Sequence, residues 1–321
     1  MSIRKIARAD LWGSGGYPSS GGDREEFTRL NCNENPWAPL RTSDPLINRY
    51  PEKQPSQLVD RLASLYNIAP TNLIITRGAD DGIDAIIRGF CQPGVDAIAQ
   101  CPPAFVMYSF FAKLHGAAIH NVHLDAANAF AVDFDSLAES VNEGAKILFL
   151  CSPNNPTGSS VDRERIIELC GRVSDRAVVV VDEAYVEFAD AASLSDRIDD
   201  LGNLIVLRTL SKAWSLAGAR LGVIIASDEI TSYLHATISP YPLSRSATRG
   251  ALDATSRECM ATAATRIESI KSQRDKVAEA LRNVDWIERV YPSQANFLLV
   301  KVPDAQALMQ FARENGFLLR D

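Results

Sequence analysis

With 321 residues, 46% of them hydrophobic and 23% charged, the chain has room for two domains or for one large α/β unit with an appendage. Its formal net charge of −7 argues against nucleic acid or an anionic membrane as the main partner. No stretch reaches the roughly 20 apolar residues that span a bilayer, and the N-terminal "MSIRKIARADLWGSGG" has no signal-peptide apolar region, so a cytoplasmic protein is expected.

Residues 1–30, with the Gly- and Ser-rich "GSGGYPSSGG", read as an arm rather than packed structure. From about residue 58, helix-like and strand-like runs alternate. "LVDRLASLYNI" reads as a helix, "NLIIT" as a strand and "DDGIDAIIRGFC" as a helix. "DAIAQC", the helical "FVMYSFFAKLHG", the strand-like "AAIHNVHL" and a helix from about Asp133 to Asn142 follow. "KILFLCS" is a strand, "DRERIIELCGRV" a helix, and "AVVVV", "LIVLRT" and "LGVIIAS" are strands. Several of these strands are continuous apolar runs, which predicts a largely parallel sheet covered on both faces. After the Pro-rich "SPYPLS" a long helical stretch runs to about Asn283, and the remainder, with a closing apolar "GFLL" that reads as a strand, forms a smaller α+β unit. The domain reading is an arm over 1–30, a large domain over 31–245 and a small domain over 246–321.

The six cysteines, at 32, 91, 101, 151, 170 and 259, form no CxxC pair and are expected to be reduced and mostly buried. His120 and His123 are an odd number apart and so face opposite sides of a strand. No metal site is expected.

Ligands of open parallel sheets bind outside the carboxyl ends of the strands, where this sequence gathers polar groups. After "LIIT" comes Arg77-Gly78-Ala79-Asp80, a helix opening with free N–H groups that reads equally as an anion site or a capped glycine turn. After "KILFLC" two prolines frame Asn154 and Asn155 in a rigid turn. After "AVVVV" comes Asp182, a carboxylate that is costly there unless a cation or a buried N–H meets it, followed by Tyr185. After "LIVL" come Thr209, Ser211 and Lys212, with Arg220 beyond; a lysine in so apolar a setting either snorkels to solvent or is used for its amine. An imine-forming amine, a carboxylate for a pyridine nitrogen and a hydroxyl–guanidinium cradle for a phosphate together fit pyridoxal phosphate.

On these residues the chain resembles the fold-type I pyridoxal-phosphate aminotransferases, and among them the histidinol-phosphate aminotransferase family. "NCNENPW", "RYPEKQP", "TRGADDGID", "CPPAFVMYS", "CSPNNPTG", "VVDEAYVEF", "LRTLSKAWSLAGARLG", "PYPLS" and "SQANFLL" stand in that family's order from about Tyr17 to Asp321. The resemblance implies a mostly parallel seven-stranded sheet flanked by helices and a smaller α+β domain. It implies that Lys212 carries the cofactor covalently and moves the substrate proton, and that Asp182 keeps the pyridine nitrogen protonated. Asn155 and Tyr185 would bond the ring 3-oxygen. Ala79 and Asp80 would give backbone N–H groups to the phosphate, joined by Thr209, Ser211 and Arg220. Phe105 would stack on the ring where the family more often has tyrosine. Tyr50 would reach the phosphate of the neighbouring subunit, implying a homodimer with shared sites, and Tyr17 and Arg320 would take the substrate phosphate.

The implied reaction passes the amine of glutamate to imidazole-acetol phosphate, giving histidinol phosphate and 2-oxoglutarate. In the family the chain continues beyond "LLRD" to an arginine that clamps the donor carboxylate, so a small domain cut short and weak use of glutamate are expected. A threonine-phosphate-type decarboxylase, a broad aromatic or aliphatic aminotransferase and a non-catalytic binding relative are the alternatives that share these motifs.

Overall fold

The computed structural model describes residues 3–13 and 29–321. Helix α1 (Ser56–Tyr66) buries Leu58, Leu62 and Tyr66, one apolar position per turn, and ends at Asn67 in the left-handed conformation that stops helices. Strand β1 (Leu73–Thr76) leads into α2 (Ala79–Phe90), whose Ile83, Ile86, Ile87 and Phe90 face inward. Strand β2 (Ala97–Gln100), α3 (Met107–His115), β3 (Ala118–Asn121) and the short α4 (Phe134–Glu139) follow. Then come β4 (Ala145–Cys151), α5 (Arg163–Arg172), β5 (Val178–Asp182), β6 (Leu204–Thr209) and β7 (Gly222–Ala226).

These seven strands form one sheet in the order β1-β7-β6-β5-β4-β2-β3. Only β7 runs against its neighbours, β1 and β6; the other pairs are parallel. Alternate residues of the central strands feed two cores. Leu148, Leu150, Val179, Val181 and Val206 pack with α1, α4 and α5. Ile147, Phe149, Val178, Val180 and Ile205 pack with α2 and α3 on the other face. Each such side chain contributes about 1.5–3 kcal/mol on burial, so the strand ends stand on a stiff platform.

The structure departs from the sequence reading in five places. The arm is not free of packing: Ile3, Ile6 and Ala7 are buried in the second core, and the Arg8 N–H donates to the Gly89 carbonyl at 3.2 Å. A further helix, α6 (Asp228–Leu234), follows β7 and buries Ile230, Tyr233 and Leu234. The long helical stretch is two helices, α7 (Arg245–Ala254) and α8 (Arg257–Arg282), because Ser256 caps the second through its hydroxyl and interrupts the first. Strand β3 ends at Asn121, so His123 is not on it. "GFLL" pairs with no strand, and Phe317 and Leu318 are exposed.

The C-terminal unit adds a two-stranded ribbon, β8 (Arg289–Val290) against β9 (Val300–Lys301), and α9 (Ala305–Glu314). It is tied to the sheet near "NNPTG". The Gln294 N–H donates to the Gly158 carbonyl at 2.7 Å, and Lys271 pairs with Asp190 at 3.1 Å. Gly158 sits at φ 74° and a Cβ there would strike Ser293, so only glycine allows this approach. Among the described residues no helix is long and apolar enough to cross a membrane.

Candidate active site

The parallel register brings Cys151, Asp182 and Thr209 to one edge of the sheet, with Thr76 and Gly222 beside them. Asp182 is 2% exposed. The Tyr108 hydroxyl donates to its Oδ2 at 2.7 Å and the Ala184 N–H to its Oδ1 at 3.0 Å. Burial lifts its pKa above the usual carboxylate value, while Tyr108 and the Ala184 N–H pull it back. Of the two partners expected for it, the structure supplies the buried N–H; among the described residues no cation forms an ion pair with it.

Lys212 is exposed, with its Nζ 5.5 Å from the centroid of the Tyr185 ring. The loop carrying it is bent by two left-handed residues, Ser215 at φ 58° and Arg220 at φ 55°. Non-glycine residues hold such angles at a cost of about 1–3 kcal/mol each, and strain of this kind clusters at functional sites. The Asn155 side-chain amide donates to the Tyr185 hydroxyl at 3.4 Å. Burial pushes that hydroxyl up to about 12, and the Arg320 charge lies close enough to oppose the shift. Phe297 of the C-terminal unit meets Tyr185 edge-on at 5.2 Å, so both units border the site.

A second group surrounds the start of α2. Gly78 precedes it at φ 84°, and a Cβ there would lie 2.6 Å from Arg220 Nη2, so glycine is what lets the guanidinium approach the helix. Arg220 pairs with Asp80 at 3.0 Å and reaches Ser211 Oγ at 3.5 Å; the Thr209 hydroxyl donates to Ser211 Oγ at 3.0 Å. No side chain caps α2, which leaves the N–H groups at Ala79 and Asp80 and the helix dipole for an anion.

Two other expected residues have aromatic partners. Phe105 packs edge-on against Tyr108 at 5.8 Å. Tyr50 stacks on Tyr241 at 4.4 Å. Tyr17 lies outside the described residues. Two features escaped the sequence reading. Tyr108 reads there as an ordinary core position of α3. On the opposite face of the same strand ends, Arg208 pairs with Glu187 at 2.7 Å and Glu183 at 3.5 Å, and covers the Tyr66 ring at 4.6 Å. The period of two along β5 and β6 could have found this pairing, since Glu183 and Arg208 flank Asp182 and Thr209.

The sequence matches the family described as aminotransferase class I and II over residues 12–321. The chain belongs to that family. Among class I and II aminotransferases it is 40% identical to the histidinol-phosphate aminotransferase of Xanthomonas euvesicatoria, over 100% of this chain and 89% of that protein. It is 38% identical to the one of Pectobacterium carotovorum, with the same coverage. The fold matches the Clostridium acetobutylicum histidinol-phosphate aminotransferase with TM-score 0.77 at 20% identity, covering 86% of this chain and 81% of that one. The Sinorhizobium meliloti enzyme, solved with pyridoxal-5'-phosphate, matches with TM-score 0.77 at 23% identity, covering 85% and 74%. The mostly parallel seven-stranded sheet flanked by helices expected of this aminotransferase is the one observed.

Proposed function

We propose that this chain is a pyridoxal-phosphate-dependent aminotransferase exchanging an amino group between L-histidinol phosphate and 2-oxoglutarate. In the biosynthetic direction the substrates are imidazole-acetol phosphate and glutamate. The observation that carries the cofactor is Asp182, a buried carboxylate that forms no ion pair among the described residues, beside an exposed lysine and an uncapped helix start. The substrate rests on the 40% and 38% identity to relatives of that name.

The residues fit the cofactor group by group. Asp182 suits a protonated pyridine nitrogen, since a buried carboxylate is stabilised by a cation. The N–H groups at Ala79 and Asp80, the hydroxyls of Thr209 and Ser211 and the Arg220 guanidinium would hold the phosphate dianion. Asn155 and Tyr185, already bonded to each other, would meet the ring hydroxyl oxygen, and Phe105 would cover a ring face. When bound, pyridoxal phosphate supplies an aldehyde that takes up an amine and a ring that accepts the electron pair released at the substrate carbon. Lys212 Nζ would hold the cofactor through its amine, and the free amine would carry the proton to and from that carbon. Arg320 and Tyr17 would bind the substrate phosphate.

The arm (1–30), large domain (31–245) and small domain (246–321) are the units of this reading. A homodimer with composite sites, acting in the cytoplasm on small molecules, completes it. Large apolar side chains at Leu30, Trp37 and Leu40, more than three-quarters exposed in the single chain, support a partner over that segment. The test is to mix the purified chain with pyridoxal phosphate, glutamate and imidazole-acetol phosphate and to look for histidinol phosphate. Its absence, with threonine phosphate decarboxylated instead, would replace this reading with that of a decarboxylase.

A further inference from the structure

We propose that Tyr108 is a positioning residue for the cofactor's ring nitrogen, acting through Asp182: its hydroxyl keeps the carboxylate ionised and aimed. The role rests on the reading of the site given above. Tyr108 is fully buried. Its ring lies flat on Phe149, with centroids 4.6 Å apart and planes 8° from parallel, and is held edge-on by Phe105. Packing alone would be served as well by phenylalanine. A phenol in so dry a place is costly unless its hydroxyl is bonded, and its partner is the buried Asp182 carboxylate, which forms no ion pair among the described residues.

The consequence follows from proton competition. With Oδ1 held by the Ala184 N–H and Oδ2 by Tyr108, the carboxylate plane is fixed, and each oxygen keeps a lone pair for a third donor. A donor to the charged form lowers the proton affinity of a carboxylate. Without it, Asp182 would compete for the proton that belongs on the ring nitrogen. The other groups facing Asp182 are Asp80, which favours its protonation, Lys212, which opposes it, and the Cys151 thiol. Burial pushes both the Cys151 thiol and the Tyr108 phenol upward, so they stay protonated and Asp182 is the member that titrates.

Tyr108→Phe keeps both aromatic contacts and removes one oxygen. The full chain and this variant are loaded with pyridoxal phosphate isotopically labelled at the ring nitrogen, whose NMR shift is followed against pH. Affinity is measured for pyridoxal phosphate and for an analogue with carbon in place of that nitrogen. The ring nitrogen of the variant is expected to lose its proton at a pH lower by about one unit or more. Affinity for pyridoxal phosphate is expected to fall about tenfold or more while affinity for the analogue holds, as fits one lost hydrogen bond to a charged group. An unchanged nitrogen titration, or an equal loss of affinity for both ligands, would make Tyr108 a packing residue and overturn the proposal. A wild-type chain that binds no pyridoxal phosphate would overturn the reading of the site itself.

Discussion

Asp182 and Glu183 are consecutive carboxylates at the end of β5, both almost fully buried, and they have opposite fates. Glu183 turns to the face where Arg208 waits, and also accepts from the Leu194 N–H at 2.7 Å and from Ser193. Asp182 turns to the other face, where a hydroxyl and a backbone N–H donate to it and, among the described residues, no cation forms an ion pair with it. One half of the strand end is closed electrostatically from within, and the other is left for a charge from outside. A buried carboxylate with no ion-pair partner stores a cost that a ligand can repay, which is how a structural ion pair and a binding site can be told apart in one fold.

The comparison breaks most completely at the amine. Lys212→Ala is expected to abolish turnover and any borohydride-reducible attachment of pyridoxal phosphate at this site; a reducible adduct mapped to the same site in the variant would move the attachment elsewhere. Next in size is Asp182→Asn, which keeps the shape and removes the charge. Turnover is expected to fall on the order of a thousandfold, as when a preorganised electrostatic partner is lost, and near-normal turnover would mean that packing alone matters there.

The phosphate cradle sharpens the picture at smaller scale. Arg220→Ala removes a charge-assisted bond worth about 1.5–3 kcal/mol, so cofactor affinity should drop about tenfold to a hundredfold. Equilibrium dialysis reads this directly, and an unchanged affinity would leave Arg220 as only the partner of Asp80. Smallest is the effect expected from mixed subunits. If Tyr50 serves a neighbour's site, Tyr50→Phe and Lys212→Ala chains mixed and allowed to exchange recover one working site per dimer. No gain after proven exchange would return Tyr50 to its own chain, stacked on Tyr241.

Much of this was legible before the structure. "AVVVV" and "LIVLRT" are too apolar for a strand with a wet face, and they became the buried centre of the sheet. Lys212, Asp182, Asn155 and Tyr185 stand out because each follows such a strand, and Arg220 because it lies beyond Lys212 where it can join Thr209 and Ser211 on one phosphate. Tyr108 did not, because its bond to Asp182 spans 74 residues and its position on α3 repeats with Ala112 as plain core. Helix α6 was lost because it is a seven-residue element, too short for a periodic signal. The burial of Ile3 and Ile6 was hidden by the glycine-rich stretch that follows them.

The central claim, that Asp182 is held for an outside cation while Glu183 is satisfied within, is tested by unfolding two amide variants with and without cofactor. Burial raises the folded pKa of Asp182 above its ordinary 3.8, so its contribution to stability is full below that value and is lost as pH rises through the folded one. The neutral amide of the Asp182→Asn variant would avoid this cost, and the Tyr108 hydroxyl can reverse to accept from it. Asp182→Asn without cofactor should therefore be at least as stable as wild type at neutral pH, yet gain clearly less than wild type from added pyridoxal phosphate. Glu183→Gln sets an amide against the Leu194 N–H and Arg208, neither of which can reverse. It should lose about 1–3 kcal/mol with and without cofactor and keep its gain on binding. A cofactor-free Asp182→Asn chain clearly less stable than wild type, or one stabilised by pyridoxal phosphate as strongly as wild type, would contradict the account.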